Sequence, residues 1–278
     1  MQQQEQVASA ALVPERVDIP DLEDRDRGRP ATMHRLPVSP ALIPGTLRRL
    51  GYFQNWPEDS LEALAAHAKL VQLDKHGVLA SKNEYLDSLY VVVSGLIRVY
   101  IPLPNNMERV ISLIGPGEGL GEACLILEEP CPFAAVAGKD SHLLVIDAML
   151  FRREIGRDIT LARQTLERVS RRFMDTVRDT EICAQRSSVL RVASYLLLHR
   201  PGQDALAFTF HLPARKQDVA AKLGLSQETF SRVLSFLDKQ GLIQVHGSEI
   251  RVENAGRLAE INSMKDCRDP CQEEAKLN

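Results

Sequence analysis

The chain has 278 residues, of which 44% are hydrophobic and 26% are charged, and its formal net charge is -3 at pH 7. This composition is that of a folded globular protein of one large or two moderate domains, and overall charge gives it no general affinity for nucleic acid. No apolar run approaches the roughly 18 residues of a membrane span, and the first residues lack a basic-then-apolar secretory signal. We therefore expect a cytoplasmic protein without a membrane partner.

The cysteines form neither a disulfide framework nor a zinc ribbon. Their number is odd and no Cys-x-x-Cys pair occurs among Cys124, Cys131, Cys183, Cys267 and Cys271. In a reducing compartment such a set is expected to consist of free thiols.

The first two regions differ in composition. Residues 1–44 are rich in proline and in mixed charge, which predicts a disordered N-terminal tail. Residues 45–150 contain a short helical period and then β-rich runs, such as SLYVVVSGLIRVYIPL and HLLVIDAML, divided by turn signals such as Pro116-Gly117. Closely spaced strands with such turns are typical of a small β-barrel or jelly roll.

Residues 151–185 contain no Gly or Pro after Gly156 and predict one long helix. Apolar and small side chains recur along it with an alternating 4-3 spacing, at Ile159, Ala162, Leu166, Val169, Phe173, Thr176 and Thr180. A narrow seam of this kind calls for a partner helix, and we interpret it as the interface of a parallel homodimer. An amphipathic helix packed on its own domain is the alternative.

Residues 186–262 predict a winged helix-turn-helix domain. A helix in SSVLRVASYLLLHR is followed by the strand AFTFHLP, a short helix within 214–223, a tight turn at 224–226, a second helix to Gln240 and the hairpin LIQVHGSEIRV. Helix, short turn, helix and hairpin in this order are typical of that motif. Residues 263–278 are assigned to a C-terminal tail.

The second helix of the motif separates a polar side from an apolar side. Gln227, Glu228, Ser231 and Arg232 share one side, whereas the apolar residues recur on the other. In a helix-turn-helix this helix enters the major groove, where Arg232 can bind guanine and Glu228 can accept from cytosine. Further candidates for DNA contact are Ser226, Thr229 and Arg215. A solvated helix face that contacts nothing is the alternative.

From about residue 45 to 262 the chain resembles the CRP/FNR superfamily of bacterial transcription regulators, through LYVVVSGLIRVY, PGEGLGEACLILEEP and KQDVAAKLGLSQETFSRVLSFLDKQGLI in that order. The resemblance implies an α+β protein: an N-terminal double-stranded β-helix (jelly-roll) sensor domain like cyclic nucleotide-binding domains, a dimerisation helix, and a C-terminal winged helix-turn-helix. It also implies a homodimer that binds a two-fold symmetric promoter site and works with RNA polymerase, as activator or repressor, and no enzymatic activity.

The segment Glu228-Thr229-Phe230-Ser231-Arg232 is similar to the recognition helix of FNR-like members of that superfamily, which read TTGA-type half-sites. This similarity implies a TTGAT-like half-site and its inverted repeat, with half-sites about one helical turn apart.

The resemblance also indicates where an effector would act. Candidate pocket residues are Gly121, Glu122, Cys124, Cys131 and Phe133. Members that bind cyclic AMP carry Arg-Ser where this chain has Pro132-Phe133, so cyclic AMP is not favoured. No cysteine precedes Cys124, so the iron-sulfur cluster of oxygen-sensing members does not fit either. The Cys-x-His pair of carbon-monoxide sensors falls at Gly121 and Ala123, so that haem ligation is not reproduced.

Three kinds of signal stay open. One is haem, since Cys131-Pro132 resembles a weak Cys-Pro haem motif and an imidazole could come from His67, His76 or His142. Another is thiol oxidation at Cys124 and Cys131, and the last is a small apolar or aromatic effector or none. A cyclic-nucleotide-dependent regulator is the alternative function. A cupin-type metal enzyme is the competing class, but this barrel has no His-x-His to hold a metal.

Overall fold

The computed structural model describes residues 33–35, 43–104, 107–202 and 204–263, all within one unit of the chain, residues 31–278. Most of the predicted N-terminal tail, and all of 264–278 with Cys267 and Cys271, lie outside these ranges. Strand β1 (Met33–Arg35) pairs antiparallel with β2 (Lys69–Leu73). Residues 33–35 therefore belong to a sheet, in contrast to the tail expected over 1–44, because backbone pairing to a distant strand leaves no local signal in composition.

Short helices and a curled sheet make up the described N-terminal part. The elements are α1 (Ile43–Arg49), a 3-10 helix (Gly51–Phe53), α2 (Glu58–His67), β2, β3 (Val78–Ala80), β4 (Ser88–Leu103), β5 (Met107–Ile114), β6 (Gly119–Leu120), α3 (Glu122–Leu127) and β7 (Ala134–Asp147). The strand order is β1-β2-β7-β4-β5, with β3 paired to β7 and β6 paired to β4. Every pairing is antiparallel, as the predicted jelly roll requires.

The long strands β4 and β7 bend together. Their register shifts between Val92 and Ile97, where Gly95 has a φ of 108° and lies so close to Ser141 that no side chain would fit. Such shifts bend a strand, and the bend lets the sheet curl around a core of side chains from several of its strands. That core includes Leu73, Val92, Ile97, Ile114 and Leu143.

The predicted long helix over 151–185 is two helices, α4 (Ala148–Arg157) and α5 (Ile159–Ala184), so that prediction is wrong in this respect. Asp158 lies between them in an extended conformation, and its carboxylate accepts from the backbone amides of Thr160 and Leu161 at 2.6 and 3.2 Å. An aspartate that satisfies free amides in this way starts a new helix. The hydrophobic spacing does not reveal this break, because the apolar residues continue on both sides of it, and Gly156 alone does not predict one.

The C-terminal part has the predicted order of elements and one addition. The elements are α6 (Ser188–Leu198), β8 (Phe208–His211), α7 (Lys216–Lys222), α8 (Gln227–Lys239), β9 (Ile243–His246), β10 (Glu249–Val252) and α9 (Ala255–Ser263). The strands pair in the order β8-β10-β9. Helix α9 was not expected, and it packs Leu258 into the same core as Phe230 of α8 and Val192 of α6. Across the described ranges, no helix is long and apolar enough to cross a membrane.

Candidate functional site

A tight turn and a side-chain cap fix where α8 begins. Gly224 has a φ of 65°, a left-handed conformation that glycine adopts without steric cost, and it turns the chain between α7 and α8. The Ser226 hydroxyl oxygen accepts from the backbone amide of Thr229 at 3.0 Å and donates to the Thr229 hydroxyl at 2.9 Å. The capped helix therefore starts at Gln227.

The two sides of α8 are as different as the sequence indicates. Phe230, Val233, Leu234 and Leu237 are buried in the core of the C-terminal part. Gln227, Glu228 and Arg232 are exposed, and Thr229 and Ser231 are half-buried. The Arg232 guanidinium donates to the Glu228 carboxylate at 2.6 Å, one helical turn apart. This ion pair orients the guanidinium on the exposed side of the helix.

We expect Ser226→Ala to lower the free energy of unfolding by about 1 kcal/mol, because it leaves the Thr229 amide without its cap. Ser235→Ala, on the exposed side of the same helix, is the matched control and should change it by less than about 0.5 kcal/mol. Urea unfolding followed by circular dichroism measures both. Equal losses in the two variants would contradict the role of the cap.

Arg215 does not share the outward-facing arrangement of the α8 residues. It precedes α7, and one of its guanidinium nitrogens donates to the backbone carbonyl of Gly138 in β7 at 3.0 Å. The candidate DNA contact at Arg215 is therefore a barrel contact in this structure, although the residue stays exposed.

One side of α5 presents apolar side chains to solvent. Ile159, Leu166 and Phe173, spaced seven residues apart, are 84%, 66% and 65% exposed. Within the candidate seam, Ala162 and Val169 are half-buried, and the exposed Thr176 and Thr180 donate to carbonyls of their own helix. Met174 and Val177 are also exposed and were not predicted. They were missed because the 4-3 spacing follows a narrower line than the apolar surface that the helix presents.

A cavity of about 520 Å³ lies between the barrel, α5 and the C-terminal part. Its lining comes from the 3-10 helix, β5, the Gly117–Gly119 segment, the start of α3, α5 and the ends of α6 and α7. The basic residues in this lining are Arg168, Arg171, Arg172, Arg178, His199 and Lys222. Of the five candidate pocket residues, all of which the structure describes, Glu122 alone contributes to it.

Glu122 is buried at the wall of the cavity beside two arginines of α5. Arg172 lies 3.4 Å from the Glu122 carboxylate and donates to the carbonyl of Gly119 at 2.7 Å. Arg168 stacks 4.1 Å above the Tyr52 ring and donates to the Tyr52 carbonyl. Burial, followed by the nearby Glu122 carboxylate, raises the pKa of Tyr52 well above its usual value, so its hydroxyl stays neutral.

Sequence reasoning missed Tyr52, Arg168 and Arg172 as cavity residues. Arginines on a helix surface are usually solvated, so their residue type alone does not suggest a cavity. No residue pattern in the sequence separates the arginines that line the cavity from those that only meet solvent.

The remaining pocket candidates lie around α3. Gly121 precedes α3 with a φ of 117°, and Phe133 packs on the barrel core. The sulfur atoms of Cys124 and Cys131 are 3.6 Å apart, and both residues are buried. Burial, and then the neighbouring Cys124, raises the pKa of the Cys131 thiol to about 12.

We expect Cys131 in the folded protein to react with iodoacetamide at pH 8 far more slowly than the half-buried Cys183. Burial and the neighbouring Cys124 raise the pKa of the Cys131 thiol, so very little of it is ionised at pH 8, and only the thiolate attacks. Mass spectrometry of labelled peptides measures both rates, and urea-unfolded protein is the control in which they should converge. Equal labelling of the folded protein would contradict the buried environment.

The candidate haem ligands lie on separate elements. His67 ends α2 with its Nδ1 atom 3.1 Å from the Ala63 carbonyl, and His142 in β7 lies 2.9 Å from the Ser94 hydroxyl. His76 is exposed in the turn before β3. In the part of the chain that is described, no cluster of three or more His, Cys, Asp or Glu side chains is suited to hold a metal.

Comparison with known proteins matches two family models to separate segments of the chain. Residues 70–158 match the family model for the cyclic nucleotide-binding domain, and residues 190–261 match that for the Crp-like helix-turn-helix domain. The chain is 31% identical over 175 residues to the Cyclic AMP receptor protein of Thermus thermophilus, covering 63% of this chain and 79% of that protein.

Two further relatives extend over more of the chain. Identity is 24% over 216 residues with the CRP-like cAMP-activated global transcriptional regulator of Mycobacterium tuberculosis, covering 77% of this chain and 96% of that one. The solved structure of FixK2 from Bradyrhizobium japonicum superposes with a TM-score of 0.60 at 25% identity, covering 69% and 96% of the two chains.

A barrel that matches the cyclic nucleotide-binding domain family, a long helix and a helix-turn-helix domain together define a DNA-binding transcription regulator. The chain belongs to the CRP/FNR superfamily of such regulators.

Proposed function

We propose that the chain acts as a homodimer whose two α8 helices read an inverted repeat of a TTGAT-like half-site in promoter DNA. The observation that carries this proposal is the capped α8, which presents Gln227, Glu228 and Arg232 outward over a fully buried apolar side. A helix so anchored at its N-terminus can enter the major groove without losing its packing.

Each exposed side chain has a matching base edge. Arg232, oriented by Glu228, donates two hydrogen bonds to O6 and N7 of the guanine in TTGAT, and Glu228 accepts from N4 of the paired cytosine. Gln227 and Ser231 contact adenine or thymine edges. Ser226, Thr229 and Arg215 contribute phosphate contacts, which fix the position of the helix without reading sequence.

The homodimer is supported by the exposed apolar side of α5. Leu166 and Phe173 lie at its centre, and burial of such side chains against a second copy removes apolar surface from water. Two parallel α5 helices would relate the two α8 helices by a two-fold axis, which is the symmetry of an inverted repeat.

The effector proposed for the cavity is a small anionic molecule. Arg171 lines the cavity and, within the described residues, has no ion-pair partner, in contrast to Arg172 and Arg178. An anion bound there would contact α5 and the barrel together, and would shift the equilibrium between arrangements of the two parts. A cyclic nucleotide belongs to this class, but Pro132 and Phe133 supply no cation for its phosphate.

The other partner proposed is RNA polymerase, which rests on membership of the superfamily alone. Whether the bound dimer activates or represses depends on where its site lies relative to the promoter. The haem hypothesis gains no support from His67, His76 and His142, because each lies on a different element and away from the cavity lining.

Selection from a pool of randomised duplexes tests the reading of DNA. The purified chain should enrich an inverted repeat of TTGAT with ATCAA, and sequencing of the bound fraction reports it. Enrichment of a motif without two-fold symmetry, or no enrichment, would overturn the proposal.

A thermal unfolding panel tests the effector class. Small phosphates, small carboxylates and cyclic AMP are each added to the wild type and to Arg171→Ala. A ligand that binds the folded state raises the melting temperature by mass action, and the rise should be lost in the variant. If none of these anions raised the melting temperature of the wild type, or if they raised that of Arg171→Ala equally, the anionic class would be refuted.

A further inference from the structure

Helix α7, the first helix of the helix-turn-helix, packs on the outer face of the barrel. Ala221 of α7 contacts a small apolar cluster formed by Tyr100 of β4, Val110 of β5, and Ala134 and Val136 of β7. Leu113 of β5 packs against this cluster and also against the core of the C-terminal part. The two parts of the chain therefore share a continuous apolar contact through α7.

An ion pair reinforces this contact from within. Asp218 of α7 is only 3% exposed, and its carboxylate lies 3.6 Å from the guanidinium of Arg98 in β4. Arg98 also pairs with Glu108 of β5 and lies 5.5 Å above the Tyr100 ring. A buried carboxylate is costly without a cation, so Asp218 makes α7 depend on the barrel for its charge balance.

Two further contacts cover the ends of α7. Arg215, just before the helix, donates to the Gly138 carbonyl of β7. At the other end, the Arg109 guanidinium of β5 lies directly against Gly224 in the turn, where any side chain would collide with it. The barrel thus contacts the first helix and the turn of the motif together.

We propose that these contacts form an autoinhibitory latch, in which the Arg98–Asp218 pair holds α7 on the barrel and DNA binding requires its release. This inference rests on the proposed function. In a helix-turn-helix the first helix crosses the DNA backbone, so a barrel strand bonded to Arg215 occupies a side chain that phosphates would otherwise engage. The barrel and the polyanion compete for the same arginine.

The latch lowers the apparent affinity for DNA because it reduces the fraction of molecules that are able to bind. When only a fraction of molecules is released, the apparent Kd is the intrinsic Kd divided by that fraction. Loss of a partly buried ion pair should raise a small released fraction, and hence the affinity for the duplex, by roughly tenfold.

The test uses the full chain without added effector. Asp218→Asn, Arg98→Gln and the double variant are titrated on the TTGAT-n4-ATCAA duplex at one fixed salt concentration, and thermal melts establish that each is folded. Glu58→Gln is the matched control, since it breaks the exposed Arg48–Glu58 pair far from α7 in sequence. Hydrogen exchange of the DNA-free proteins reports on α7 and β5 independently of binding.

In both single variants we expect faster hydrogen exchange in α7 and about tenfold tighter binding to the duplex. The double variant should show no further gain, because both changes break the same Arg98–Asp218 ion pair. The control should match the wild type. Unchanged exchange, or faster exchange with unchanged or weaker DNA binding, would overturn the latch. If no protein, including the wild type, bound the duplex, the proposed function would fail, while the exchange data would still report on the contact itself.

Discussion

Arg232→Ala is expected to cost about 1 to 3 kcal/mol of DNA-binding free energy at each half-site, and a dimer suffers this loss twice. The reason is that the guanidinium held by Glu228 at 2.6 Å is the α8 group best placed for two bonds to one guanine. Fluorescence anisotropy on the TTGAT-n4-ATCAA duplex, at fixed salt, measures the loss.

The loss should also be specific. On duplexes in which the guanine of each half-site is replaced, Arg232→Ala and wild type should bind with similar affinity, because the contact is already absent. Arg48→Ala, which removes an arginine from α1, is the matched control and should leave all affinities unchanged. An equal loss on every duplex would mean that Arg232 contacts phosphate and reads no base.

The paired change Leu166→Glu and Phe173→Glu should convert the protein to a monomer and abolish tight binding to the inverted repeat. Both side chains are largely exposed on α5, and a carboxylate at each would remain buried and unpaired in a helix dimer. Light scattering should give a mass of about 31.0 kDa for the variant and about twice that for the wild type.

Met149→Glu is the matched control for that change. Met149 is 72% exposed, and it lies on α4, outside the apolar side of α5. This variant should remain a dimer and bind as the wild type does. If it too dissociated, or if the α5 variant stayed dimeric, the interface would lie elsewhere on the chain.

The order of strands and helices could be predicted because each element carries its own local signal. The period of α8, its Ser226 cap and the left-handed Gly224 are all within a few residues of one another. The hairpin β9–β10 is likewise marked by Gly247, which lies in the turn between the two strands. Tertiary packing did not override these local signals, so the predicted order of elements matches the structure.

The features that the sequence analysis missed are of two kinds. One is local: Asp158 divides α4 from α5 by a cap that hydrophobic spacing does not report. The others depend on residues that are distant in the chain. Arg172 and Glu122 are 50 residues apart in the chain, and Arg98 and Asp218 are further apart still. An arginine on a helix has no residue pattern that distinguishes a solvated position from a cavity wall, since only the fold decides which neighbours it meets.

Arg215 shows the same dependence on context. The sequence makes it a candidate DNA contact, and in the structure its guanidinium donates to the Gly138 carbonyl. Arg215 can contact DNA in one state of the protein and the Gly138 carbonyl in another, because the contact to the barrel is a single hydrogen bond of an exposed side chain. The latch predicts which state dominates without DNA.

Sedimentation velocity of the chain mixed with the TTGAT-n4-ATCAA duplex tests the central claim most directly, with a duplex that carries one half-site and a scrambled duplex beside it. The account predicts a complex of two chains on the inverted repeat, and weaker binding to the other two duplexes. One chain per duplex, or equal binding to the scrambled sequence, would contradict a dimer that reads a symmetric site.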